Sequence, residues 1–128
     1  MTTRIFIVDD EPRVAEILET YLQKEMPDIE VICASDGKDA VEKMAMMLAD
    51  DVTPDMTLMD LRMPIMDGIE SSKQLSEMGV ENIHILTAYV DPELKEIAIT
   101  VGAEGVIDKS EGYAKIAERL AAMVNEKK

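Results

Sequence analysis

Five short apolar runs, each followed by a segment of helical periodicity, constrain this chain more than any other feature. The runs are Ile5–Val8, Glu30–Ala34, Met56–Met59, Ile83–Thr87 and Gly105–Ile107. They have strand length. The first, third and fourth lack polar alternation, so both faces of those strands are expected to be covered. Between the runs, Val14, Ile17, Leu18, Tyr21 and Leu22 keep the spacing of one buried helical stripe. Ala40, Val41, Met44, Ala45 and Leu48 form a second, and Leu94, Ile97, Ala98 and Val101 a third. Tyr113, Ile116, Ala117, Leu120 and Val124 form the last, whereas Ile69 to Met78 is helical more by position than by pattern. Pro12 suits a first helical turn, Asp91-Pro92 reads as an N-cap followed by N1, and Gly79 and Gly102 sit where glycines stop helices. This alternation predicts an α/β fold, a doubly wound five-stranded parallel sheet with five helices. In such sheets ligands bind at the carboxyl ends of the strands.

With 128 residues the chain suits one domain, its core spanning about residues 4–125. No linker or output domain follows within it, so a free-standing unit acting through partners is expected. Apolar residues make up 47%, but aromatics only 3%, and eleven methionines predict a core that tolerates rearrangement. No run approaches the roughly 18 apolar residues of a membrane span, and the N-terminal run is too short for a secretory signal. The single cysteine, Cys33, falls in the apolar run Val31–Ala34 and is expected to be a buried thiol in a reducing cytoplasm. The formal net charge is −14, from 27 acidic and 13 basic residues. Such a surface repels nucleic acid and anionic lipid, so neither DNA nor membrane is expected as a partner.

Some of the acid is concentrated where solubility does not require it. Asp9, Asp10 and Glu11 follow the first strand, Asp60 follows the third, Thr87 ends the fourth, and Lys109 lies just past the fifth. Each alone is an ordinary loop residue, but adjacent parallel strands lie about 4.8 Å apart, so together these side chains converge. Two carboxylates about 4 Å apart repel by roughly 4 kcal/mol at an effective dielectric near 20. A hard divalent cation with oxygen ligands, Mg²⁺ or Mn²⁺, answers that repulsion best. A carboxylate can attack phosphorus once the charges on both reactants are neutralised. A metal, an ammonium and a hydroxyl achieve that here, and the product is an aspartyl phosphate.

These residues resemble the response-regulator receiver family. Ile5-Phe6-Ile7-Val8-Asp9-Asp10-Glu11-Pro12 looks like its opening strand and acidic pair, and Met59-Asp60-Leu61-Arg62-Met63-Pro64-Ile65-Met66-Asp67-Gly68 matches the stretch around its phosphorylated aspartate. Leu86-Thr87-Ala88 and Asp108-Lys109 supply the switch threonine and the lysine. The resemblance implies a flavodoxin-like sheet of strand order 2-1-3-4-5, with Asp60 as phosphoacceptor. Mg²⁺ would be held by Asp9, Asp10, Asp60 and the backbone carbonyl of Arg62, with Thr87, Ala88 and Lys109 around the phosphoryl group. It further implies a histidine kinase or histidine phosphotransfer protein as donor; a downstream partner is expected at the face of the fourth helix, fifth strand and fifth helix, where Ile99 falls off the buried stripe of its helix. The chain is expected to be a monomer that can dimerise on phosphorylation.

Two positions depart from the family. An aromatic residue usually stands three residues before the lysine, where this chain has Val106, and proline usually follows the lysine, where it has Ser110. Tyr89, two residues past Thr87, is therefore expected to take over part of the aromatic switch, acting with Arg62 to gate the pocket. A haloacid-dehalogenase-like phosphatase uses a similar nucleophile, but it needs an acid two residues later, where this chain has Arg62. Enzymatic turnover of outside substrates is therefore not expected. A flavodoxin-like carrier is disfavoured because Asp9-Asp10-Glu11 repels FMN. A phosphorylation-independent scaffold is disfavoured by the full set of pocket residues.

Overall fold

The structure, a computed structural model, describes residues 2–127. Strands β1 (Thr3–Val8), β2 (Ile29–Ala34), β3 (Met56–Asp60), β4 (Ile83–Thr87) and β5 (Gly105–Asp108) alternate with five helices. These are α1 (Pro12–Glu25), α2 (Gly37–Ala49), α3 (Gly68–Glu77), α4 (Pro92–Thr100) and α5 (Tyr113–Lys127), and a 3-10 turn at Lys109–Glu111 joins β5 to α5. All strand pairs are parallel, in the order β2-β1-β3-β4-β5. The expected architecture and strand order both hold. Most strands extend slightly beyond their apolar runs because backbone pairing sets their ends; Thr3 and Arg4, for example, pair with Ile29 and Glu30.

Alternate strand residues face opposite helical layers. Ile5, Ile7, Met56, Leu58, Leu86 and Ile107 pack with Leu18 and Leu22 of α1 and with Ile116, Leu120 and Val124 of α5. Phe6, Val8, Met59, Ile83 and Ile85 pack with Ala40 and Met44 of α2, Leu75 of α3 and Ala98 of α4. The predicted stripes hold at their centres and fail at their shoulders. Ile17 and Tyr21 of α1 and Ile97 of α4 are exposed, because a helix lying on a sheet buries a narrower arc than its apolar positions span. Cys33 is exposed, contrary to expectation. β2 is an edge strand, and near its carboxyl end Cys33 meets an open groove lined by Pro12, Glu16 and Lys43.

α3 lacked a clear pattern because its buried face is Gly68, Ser71, Ser72 and Leu75, mostly small or polar. Ser71 donates its hydroxyl to the Gly37 carbonyl at 3.0 Å, which ties α3 to the start of α2. Asp67 caps α3, accepting from the Glu70 amide at 2.9 Å, and the Gly68 amide donates to the Leu61 carbonyl at 2.9 Å. A Cβ on Gly68 would lie 2.2 Å from the carbonyl oxygen of Asp60, so glycine is what lets α3 start directly against the end of β3. Gly68→Ala is therefore expected to lower stability by about 2 kcal/mol through overpacking against backbone. Chemical denaturation checks this, and an unchanged midpoint would mean that the close approach is not required. Gly79 (φ 92°) and Gly102 (φ 101°) end α3 and α4 in the left-handed region, as their positions predicted.

Candidate functional site

The parallel topology brings the predicted polar residues together at the carboxyl edge of the sheet. Asp9, Asp10, Asp60, Arg62, Thr87, Ala88, Tyr89 and Lys109, together with Glu11, line one pocket of about 220 Å³. Asp9 follows β1, and Asp60 and Thr87 are the last residues of β3 and β4; all three are buried. Asp10 is exposed at the rim. One carboxylate oxygen from each of Asp9, Asp10 and Asp60 lies within 4.8 Å of the others. Lys109 reaches in from beyond β5, its Nζ 3.1 Å from Asp60 Oδ1 and 3.5 Å from Asp9 Oδ2.

Loop geometry fixes these groups. Asp9 Oδ1 accepts from the Glu11 amide at 2.8 Å, which turns the chain into α1 at Pro12. Asp108 Oδ1 accepts from the Ser110 amide at 2.9 Å and from the Ser110 hydroxyl at 2.7 Å, capping the 3-10 turn that begins with Lys109. A proline at position 110 has no N–H to give to that cap, so serine there builds a different anchor for the lysine. No cis peptide bond occurs among the described residues. The sequence places Asp108 only as the neighbour of Lys109 and gives it no capping role, although an aspartate two residues before a serine is a turn signal.

Electrostatics follow from burial. Desolvation pushes the Asp9 carboxyl up to about 6, with Asp60 adding to the rise, while the Glu11 amide and Lys109 oppose it. Burial also raises Asp60, against the hydrogen bond and charge of Lys109. Burial disfavours the Lys109 ammonium, yet its pairing with Asp60 and Asp9 outweighs this and leaves its pKa raised. One ammonium thus faces three close carboxylates, two of them buried. That donor set, all hard oxygens with an excess of negative charge, fits a divalent cation of the Mg²⁺ type.

The rim carries two further contacts. The Tyr89 amide donates to Thr87 Oγ1 at 3.2 Å, and the Arg62 guanidinium carbon lies 4.8 Å from the centre of the Tyr89 ring. Val106 pairs with Ile85 in the sheet and is half-buried against the layer that holds Phe6 and Ala98, so no aromatic ring fills that position.

The profile of the response regulator receiver domain matches residues 5–121. The chain belongs to the response-regulator receiver family. It is 38% identical over 121 residues to the transcriptional regulatory protein LiaR of Bacillus subtilis, a match that covers 93% of this chain and 54% of LiaR. The receiver domain therefore spans about half the length of that curated relative. The response regulator domain of Thermotoga maritima CheB superposes with a TM-score of 0.82 at 26% identity, covering 98% of this chain and 96% of that one. CheY of Borrelia burgdorferi, in a complex described as CheX-CheY-BeF3-Mg, gives 0.80 at 25% identity, covering 94% and 88%. The expectation of no DNA partner does not fit LiaR, a transcriptional regulator by name. The charge argument concerns the receiver surface alone and does not extend to a whole regulator. Among the described residues no helix is long and apolar enough to cross a membrane.

Proposed function

We propose that this receiver domain accepts a phosphoryl group on Asp60 and passes the signal on through a change of its surface. The observation that carries the reading is the contact of Asp60 Oδ1 with Lys109 at 3.1 Å, beside Asp9 and Asp10. A carboxylate oxygen of Asp60 attacks phosphorus, and the bond from phosphorus to the donor's leaving group breaks. With acetyl phosphate the products are aspartyl phosphate and acetate. Lys109 offers its ammonium to the phosphoryl oxygens, and the buried Thr87 hydroxyl lies in the same pocket to donate to another. The site's work is positioning and charge neutralisation, with no side-chain acid–base step.

Asp9, Asp10, Asp60 and the backbone carbonyl of Arg62 would hold Mg²⁺, or Mn²⁺. When bound, the cation neutralises charge shared by the carboxylate and the phosphoryl oxygens. The BeF3 and Mg named in the Borrelia complex support this reading by likeness of fold. The proposed donor is a histidine kinase or histidine phosphotransfer protein in the cytoplasm. The proposed output surface is the α4–β5–α5 face, with Ile99 of α4 as an exposed apolar contact. The domain regulates rather than turns over outside substrates, since Arg62 stands where a phosphatase of this chemistry needs an acid.

Incubation with acetyl phosphate and Mg²⁺ is expected to raise the intact mass by one phosphoryl group, reversed by mild base and prevented by a chelator. No gain in mass under these conditions would remove the reading.

A further inference from the structure

The geometry points to Tyr89, clamped between Thr87 and Arg62, as the element that reports the state of the pocket in this chain, in the role left open by Val106. This rests on the phosphoacceptor reading and deepens it. Tyr89 is held at two points. Its amide donates to Thr87 Oγ1 at 3.2 Å, and its ring lies under the Arg62 guanidinium at 4.8 Å. Both clamps line the pocket that holds Asp60. The ring itself is 65% exposed, so little besides these contacts fixes it.

A phosphoryl group on Asp60 acts on both clamps. A guanidinium prefers a charge-assisted hydrogen bond to phosphate over an exposed aromatic face, the former being roughly two to three times as strong. Arg62 therefore leaves the ring for the phosphoryl oxygens. The Thr87 hydroxyl keeps a proton to donate to the same group while it accepts from the Tyr89 amide, and any shift of Oγ1 towards the phosphoryl oxygens draws that amide with it. The ring is released as the amide is drawn towards the pocket.

The segment leads directly to α4. Asp91, two residues on, caps that helix by accepting from the Leu94 amide at 2.8 Å. α4 has nine residues and buries only Leu94 and Ala98, so it is lightly held. Movement of Tyr89 therefore reaches the helix that carries the exposed Ile97 and Ile99.

The test uses the full 128-residue chain labelled with fluorotyrosine, observed by fluorine NMR with excess acetyl phosphate and Mg²⁺, with intact mass read on the same sample. The chain has three tyrosines, and Tyr89→Phe assigns the resonance of interest. The Tyr89 signal is expected to move as the phosphoryl group is taken up, while that of Tyr21, on the outer side of α1 beside Lys24, stays in place. In Arg62→Gln the Tyr89 signal is expected to lie near its released position from the start, and its displacement to shrink at least twofold. A Tyr89 signal that stays fixed in protein carrying the phosphoryl group overturns the inference and leaves the phosphoacceptor reading intact. An undiminished displacement in phosphorylated Arg62→Gln overturns the clamp. No gain in mass overturns the phosphoacceptor reading, and this inference with it.

Discussion

Asp60→Asn is expected to take up no phosphoryl group from acetyl phosphate and Mg²⁺, a complete loss rather than a slower reaction. The amide has nearly the shape of the carboxylate, so position, burial and the Leu61 amide contact are retained. What is lost is the anionic oxygen that attacks phosphorus. The fold should survive without cost. Burial raises the Asp60 carboxyl even against Lys109, so at neutral pH the charged form is held in the folded state at an energetic disadvantage. Removing that charge relieves the crowding with Asp9 and Asp10, and Lys109 keeps Asp9 at 3.5 Å. The variant should therefore melt no lower than wild type in metal-free buffer. Intact mass after acetyl phosphate is the deciding measurement. Stoichiometric uptake by the variant, with peptide mapping to Asp9 or Asp10, would transfer the acceptor role to the aspartate found.

How much was legible in the sequence follows from what each signal reports. Strands buried on both faces appear as unbroken apolar runs, and β3 and β4 were found almost residue for residue. Parallel strands also place their carboxyl ends along one edge. That is why Asp9, Asp60, Thr87 and Lys109 could be brought together without knowing any side-chain position. Properties that depend on what covers a residue were not legible. Cys33 sits in an apolar run yet is exposed, because edge position is a matter of topology and not of local composition. Ile17 and Tyr21 keep the stripe of α1 but lie on its shoulder. α3 is defined by close backbone approach at Gly68 and a serine bond to Gly37, neither of which leaves a hydrophobic period. The stacking of Arg62 on Tyr89 joins residues on two different loops, and proximity to one pocket was the only hint of it. The anchoring of Lys109 through Asp108 and Ser110 replaces a proline, and its local turn signal passed unread.

Mg²⁺ alone, without a phosphodonor, is expected to stabilise the protein strongly at pH 7.5 and much less at pH 5. Asp9 sets the sign. Its carboxyl is at about 6 in the folded protein against an ordinary 3.8, so the folded state binds this proton more tightly than the unfolded chain. Stability from this group is greatest below pH 4, declines as the pH rises through about 6, and is absent above that. The deficit at neutral pH is about 3 kcal/mol for this carboxyl taken alone. A divalent cation at Asp9, Asp10 and Asp60 offsets it by binding only the folded arrangement. At a hundredfold excess over the dissociation constant the gain is about 2.7 kcal/mol, or roughly 10 °C for a domain of this size. At pH 5 a proton competes for Asp9, weakening the apparent affinity about tenfold and removing a large part of that gain at the same Mg²⁺ concentration. Melting followed by circular dichroism, with NaCl adjusted to equal ionic strength, separates this from general screening of a chain with net charge −14. Asp10→Ala should lose most of the gain at pH 7.5. An equal rise in that variant would take Asp10 out of the site, and an equal rise at both pH values would mean that Asp9 does not control the metal's access to it.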